Sequence, residues 1–176
     1  FQLQGNRFVR GEEVYLPLYE GRMIHQFDHR AASVGTTDEN TFRTGVNIET
    51  SSSEYSRPDF CVMSRHWISQ SQAKKVSPVQ KKWFITFKDI TSATNERTSI
   101  LSFIPWSGVG HTSPLIFPRE DIGIARISAL VVNFNAYCFD YVVRQKLGGN
   151  HMTYFILEQL PVHPPKRYTP ELLEYI

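Results

Sequence analysis

The sequence predicts an α+β fold: a β-rich N-terminal part with mixed or antiparallel sheet, followed by a helical C-terminal block. Three observations lead there. Hydrophobic residues make up 41% of the 176 positions, enough to build a core without disulfides. Aromatic and β-branched runs lie in the first two-thirds, with Trp83–Phe87 (WFITF) the strongest. Apolar residues at a helical period occupy only the last third.

In chain order, Val14–Tyr19 alternates around Pro17, and the proline predicts an edge strand. Gly35–Ser56 is rich in Ser, Thr, Asn and Gly and reads as loop, with one short strand near Phe42–Ile48. Phe60–Ser69 carries a strand pattern and Ser71–Val76 a short helix. After the Trp83–Phe87 strand comes a polar, threonine-rich loop over Asp89–Arg97, then an alternating strand over Thr98–Ile104. Trp106–Ser113 is a glycine-containing loop and Leu115–Phe117 a short strand. Ile122, Ile127, Leu130, Val131 and Phe134 form one apolar helical stripe. Asn135 is placed to cap a second helix that runs to Leu147, with Cys138, Tyr141 and Val142 on its apolar face. Arg144 and Lys146 suit the negative end of that helix, and Gly148–Gly149 stops it. Tyr154–Leu160 is a third helix ended by Pro161, and Thr169-Pro170-Glu171 starts a fourth.

No stretch approaches the roughly 20 apolar residues of a membrane span. Cys61 and Cys138 are too few for a disulfide framework and are read as reduced. The chain starts at Phe1 without a signal-peptide pattern and stops just after a helix start, so a piece of a larger protein is expected.

Charge is unevenly placed. Tyr55–Arg97 holds eight bases and three acids, a net +5, while the remainder carries −3. Concentrated positive charge suits a phosphate backbone, although a solvated face of an ordinary domain looks the same at this level. Catalytic patterns are missing. There is no G-x-S-x-G elbow and no G-x-x-x-x-G-K-[ST] loop. No Asp or Glu stands two residues before a lysine, which excludes the common metal-dependent nuclease pattern. His25 and His29 have the i, i+4 spacing of a zinc pair, but Gln26 replaces the glutamate of the metalloprotease motif and no third ligand is evident. No metal is expected. Gly108-Val109-Gly110 reads as a turn and His163-Pro164-Pro165 as a helix terminator.

Several segments carry a family resemblance. Leu18–Arg30 (LYEGRMIHQFDHR), Phe84–Thr98 (FITFKDITSATNERT), Phe139–Gly149 (FDYVVRQKLGG) and Tyr154–Pro165 (YFILEQLPVHPP) resemble, in this order, the C-terminal region of type II and single-chain type IIG restriction-modification adenine-specific DNA methyltransferases of bacteria and archaea. The resemblance spans roughly Val14 to Ile176. It implies a target recognition domain that reads double-stranded DNA in the prokaryotic cytoplasm. The partner would be a methyltransferase domain of the same polypeptide. The glycine-rich S-adenosylmethionine loop and the Pro-Pro-aromatic motif of that domain are absent, so no cofactor is expected in this chain and S-adenosylmethionine is expected in the parent enzyme. A fused nuclease is common in such relatives. The ending Leu160–Pro165 is also similar to that of type I specificity subunits.

Under this resemblance, residues 1–118 form the recognition part and residues 119–176 the part that packs and docks. A domain of this length has a radius of gyration of about 16 Å, so its width approaches one turn of B-DNA. Lys74, Lys75, Lys81, Lys82 and Lys88 are the expected phosphate contacts. Lys88 stands where many relatives carry arginine, which weakens the case for a bidentate guanine contact there. Arg43, Asn47, Arg57, Arg65 and His66 are the candidates for base readout, since guanidinium forks pair with guanine and amides with adenine. Thr94, Asn95 and Arg97 either touch DNA or brace their own loop, where Asp89 and Glu96 are the acids within reach of Arg97. The competing expectations are a stand-alone enzyme, marked by a pocket of desolvated ionisable groups, and a protein-docking scaffold, marked by a large apolar patch.

Overall fold

The computed structural model describes residues 1–35, 45–76, 82–119 and 122–176. Two expected site residues, Arg43 and Lys81, lie outside these, as does part of the predicted Phe42–Ile48 strand.

The chain begins as an antiparallel meander of β1 (Gln2–Gln4), β2 (Arg7–Arg10) and β3 (Glu13–Tyr19). Both connections are two residues long and start with a glycine at positive φ, Gly5 at +60° and Gly11 at +58°, which is the hairpin chemistry that tight turns favour. On its other side β3 pairs antiparallel with β6 (Trp67–Ser69), and its end pairs parallel with β9 (Gly108–Val109). The strand over 13–19 is therefore interior, not the predicted edge. It tolerates Pro17 because β2 has ended opposite Tyr15 and β9 starts only at Leu18, so no ladder partner loses a bond there. The Pro17 carbonyl instead accepts from the buried Ser107 hydroxyl at 2.6 Å.

A second sheet sits in the middle of the molecule. Its order is β10 (Leu115–Ile116), β7 (Trp83–Phe87), β8 (Leu101–Pro105), all antiparallel. Side chains alternate across it with period two, and each face has its own core. Ile85, Phe87 and Leu101 face the helical block and pack with Ile127, Val131, Phe134, Phe139 and Val143. Phe84 and Ile104 face the other way and pack with Tyr19, Met23, Ile24 and Val62. This is why WFITF is the strongest strand in the sequence: both of its faces are buried. A separate hairpin joins β4 (Ala32–Gly35) to β5 (Val46–Glu49), with Ala32 opposite Glu49 and Val34 opposite Asn47.

The helices are α1 (Ser52–Tyr55), α2 (Gln70–Val76), α3 (Ile124–Asn135), α4 (Tyr137–Lys146), α5 (Tyr154–Leu157) and α6 (Pro170–Leu173). A β-rich N-terminal part thus precedes a helical C-terminal block, an α+β arrangement. Several local expectations differ from what is seen. The Trp106–Ser113 loop contains β9, and the helix expected over Tyr154–Leu160 ends at Leu157. Phe60–Ser69 is a strand only over its last three residues. The strand expected from Thr98 starts at Leu101, because the Thr98 and Ser99 amides bond the Asp140 carboxylate. Asn135 ends α3 rather than capping α4. Its buried amide bonds both the N–H and the C=O of Leu101, at 2.9 and 3.0 Å. The buried face of α4 holds Phe139, Asp140 and Val143, while Cys138 and Tyr141 are exposed. No described helix is long and apolar enough to cross a membrane.

Candidate nucleic-acid interface

The segment from Glu20 to Arg30 builds one wall of an open cleft. Gly21–Met23 is a single 3-10 turn. Gly21 is required there: a Cβ would collide with the Thr112 carbonyl oxygen, and the Gly21 N–H donates to the Thr112 hydroxyl at 3.1 Å. Met23 and Ile24 are fully buried and fix the turn to the core. Arg22 is held from two sides. Its Nε lies 3.2 Å from a Glu20 carboxylate oxygen, and its Nη1 donates to the Gly45 carbonyl at 2.8 Å.

The chain then makes a tight turn, His25-Gln26-Phe27-Asp28, closed by reciprocal backbone bonds of 2.8 and 3.1 Å. Gln26 Nε2 bonds the carbonyls of Ser99 and Asn135, and the Phe27 N–H bonds the Leu101 carbonyl. Phe27 itself sits at φ +61°, a region that a bulky residue enters only at a penalty of roughly 1–3 kcal/mol. Because the chain turns here, His25 and His29 share no helix face. Among the described residues no group of three or more His, Cys, Asp or Glu could hold a metal.

Lys88 lines the same cleft from a second segment, directly after β7, with its backbone N–H on the Ile100 carbonyl and its side chain close to Gly21. Burial pulls its ammonium below the usual lysine range, and the nearby Arg22 charge adds to the effect. Asn47 from β5 completes the constellation. Arg22, Asn47 and Lys88 are shared by two adjoining hollows of about 480 and 340 Å³. The stem of Arg65 lies against Gly45, the residue that receives Arg22.

No protein-family model, curated protein or solved structure matches the chain. The chemistry of the cleft is then the guide to its use.

The two hollows differ in kind. The smaller is lined by Gly21, Arg22, Asn47, Lys88, Ile90 and Thr112, with no acid among them. Arg22 and Lys88 supply the cations there, beside the Asn47 amide and the apolar Ile90, and the Arg22 charge is partly offset by Glu20 at 3.2 Å. The larger adds Asp28 and Glu49. Asp28 accepts from the Tyr55 hydroxyl and from the Arg30 N–H. Burial, then that hydrogen bond to Asp28, pushes the Tyr55 hydroxyl up to about 12. A phosphate is repelled at this end. A base edge is not, because it carries both donors and acceptors that carboxylate, amide and guanidinium groups can match.

Of the expected residues, then, Asn47 and Lys88 come together, with Arg65 beside them. The others are dispersed. Lys74 lines a different hollow that also holds Glu12 and Glu13. Lys75 is exposed in the last turn of α2, and Lys82 is exposed just before β7. Arg57 is tied to Asp59 at 3.0 Å, which offsets its charge, and Arg65 Nε donates to His66 Nε2 at 2.8 Å. The loop of Thr94 and Asn95 is braced by its own groups: the Ser92 and Thr94 hydroxyls bond at 2.8 Å, and the Asn95 N–H bonds the Ser92 carbonyl.

Arg97 pairs with neither Asp89 nor Glu96. Its guanidinium reaches the buried Asp140 at 3.7 Å, donates to the Asn135 carbonyl and lies 4.2 Å from the centre of the Tyr137 ring. Asp89 takes His151 at 2.9 Å instead. Arg144 spans the same loop, with Nε on Asp140 and its other nitrogens on the carbonyls of Ala93 and Glu96. The motif segments around 97 and 140–144 are thus a mutual brace.

Arg22 is a functional candidate that charge counting overlooks. It lies outside the +5 segment, in a stretch whose net charge is ordinary. The signal available in the sequence is Gly21 between an acid and a base, Glu20 and Arg22, with apolar residues on both sides from Leu18 to Ile24.

Proposed function

We propose that this chain is a sequence-specific double-stranded DNA recognition module of a restriction-modification adenine-specific DNA methyltransferase. Methyl transfer and S-adenosylmethionine belong to a domain outside it. The observation that supports the reading best is the convergence of Arg22, Lys88 and Asn47 in one open cleft. Arg22 and Lys88 come from Leu18–Arg30 and Phe84–Thr98, two of the segments that carry the resemblance.

In this reading Arg22 and Lys88 hold a backbone phosphate in the acid-free hollow, giving affinity and register without sequence information. Asn47, at the junction, faces a base edge, and an amide pairs best with adenine N6 and N7. The dispersed lysines on α2 and before β7 contribute only to the wider field.

The test is selection of duplexes from a randomised pool by the wild-type chain, followed by binding of the recovered motif at stepped salt. One enriched motif is expected. Replacing Arg22 or Lys88 with alanine should lower the slope of log K against log salt by about 0.9 for each phosphate no longer neutralised. Replacing Asn47 should relax the motif at one position and leave the slope unchanged. No enrichment, with K88A indistinguishable from wild type, refutes the reading.

A further inference from the structure

The geometry points to Phe27 as a wedge that inserts its ring between base pairs of the bound duplex, an inference that rests on the DNA reading above.

Phe27 is the one described non-glycine residue at positive φ, at +61°. Glycine adopts that conformation freely and phenylalanine does not. The usual compensation for such strain is burial of the ring, yet Phe27 remains 58% exposed. The fold therefore gains little from the side chain and tolerates an unfavourable backbone to present it. A residue that breaks a local rule without a packing benefit is where function is to be sought.

The mounting is stiff. Reciprocal backbone bonds link His25 and Asp28 on either side of the tip. The Phe27 N–H is anchored on the Leu101 carbonyl of β8, and Gln26 is anchored by its amide on two carbonyls. Asp28 is held by the Tyr55 hydroxyl. The tip thus carries an apolar ring on a support fixed to the central sheet. The three residues around it, His25, Gln26 and Asp28, line the cleft that holds Arg22 and Lys88. Phe27 itself lines neither hollow; in this proposal a duplex seated with a phosphate in the acid-free hollow extends past the turn and meets its exposed ring. Apolar side chains on a rigid mount beside a phosphate clamp partly unstack a base step and kink the helix.

The experiment uses a duplex bearing the motif enriched by the wild-type chain, with 2-aminopurine at successive steps and a donor–acceptor pair at its ends. With the wild type, 2-aminopurine fluorescence should rise at one step and the end-to-end distance should shorten. F27G should fold with equal or higher thermal stability, since glycine takes the φ without strain. It should bind the duplex roughly 5- to 150-fold more weakly, the loss expected for one base–aromatic stack. Its salt slope should be unchanged, and both optical signals should vanish. F27W should restore them. If the wild type enriches and binds a motif but F27G matches it in affinity and in both signals, the wedge is wrong and the recognition reading stands. If no duplex is enriched, the recognition reading fails and the wedge falls with it.

Discussion

Replacing Asp140 with alanine should weaken the fold more than any surface change in the cleft. The Asp140 side chain is 5% exposed and accepts from the Thr98 and Ser99 amides at 2.8 and 2.6 Å. It also accepts from Arg144 Nε at 2.8 Å and neutralises Arg97, whose side chain is 9% exposed and whose Nε has no hydrogen-bond partner among the described residues. Burial alone would raise this carboxyl. The bonds from Ser99, Arg144 and Thr98, with the Arg144 charge, outweigh that and hold it below the ordinary carboxylate range. Alanine leaves two buried N–H groups without their acceptor and the buried Arg97 guanidinium without its counter-charge, a loss of about 3–5 kcal/mol. At about 2–4 °C per kcal/mol for a chain of this size, the melting temperature should fall by roughly 6–20 °C. Asn should fall between, because its amide oxygen still accepts from a backbone N–H. Urea denaturation followed by circular dichroism reads both variants. A change under about 1 kcal/mol for D140A would show that the bridge between the 89–98 loop and α4 is not what orders that loop. The pH dependence gives a second check. A carboxyl whose folded pKa is depressed contributes stability above the ordinary aspartate value of about 3.9, and that stability disappears as pH falls through the folded value. D140N should lack this acid-limb component.

Three further outcomes are expected. G21A places a Cβ against the Thr112 carbonyl and must displace the 3-10 turn, so stability should fall by about 1–3 kcal/mol and DNA binding should weaken with it; binding unchanged from wild type would separate this turn from the site. Burial lowers the pKa of His29, with Asp28 opposing and Arg30 assisting, so its folded state prefers the neutral ring. Stability should therefore decline as pH falls through the ordinary histidine value of about 6.5, and H29Q should flatten that decline in melts at stepped pH. Because Lys88 loses its proton below the usual lysine range, duplex affinity should drop on the alkaline side earlier than for a chain with solvated lysines only, and K88R should abolish the drop in titrations at constant ionic strength.

The Asp140 brace also shows why the helical block and the β-rich part are interdependent. Both cores use the β7–β8 sheet, one on each face. Gln26 and Arg97 converge on the Asn135 carbonyl, where α3 ends, so the cleft-side turn, the polar loop and the helices share one anchor. Leu101 and Asn135, which bond Phe27 and its neighbour Gln26, thus tie the tip to the central sheet and to the end of α3.

The sequence alone determined the fold class and the most periodic elements, because hydrophobic period is a local property; β1, β2, β4, β9 and α1 are too short or too irregular to leave that trace. Trp83–Phe87 alternates between two cores and had to be a strand, and Ile127, Val131 and Phe134 had to share one helical face. Only the tertiary structure decided what the polar groups do, since their partners lie far along the chain and leave no periodic trace. Asn135 is a good cap by type, yet a Leu101 backbone 34 residues away offers its amide a buried donor and acceptor together. Arg97 had two nearby acids and took neither, because Asp140 reaches it from α4. The cleft follows the same logic: Arg22 and Lys88 meet because β7 and the Gly21–Met23 turn pack through one core, and like charges brought together by packing leave no mark in a count of residues.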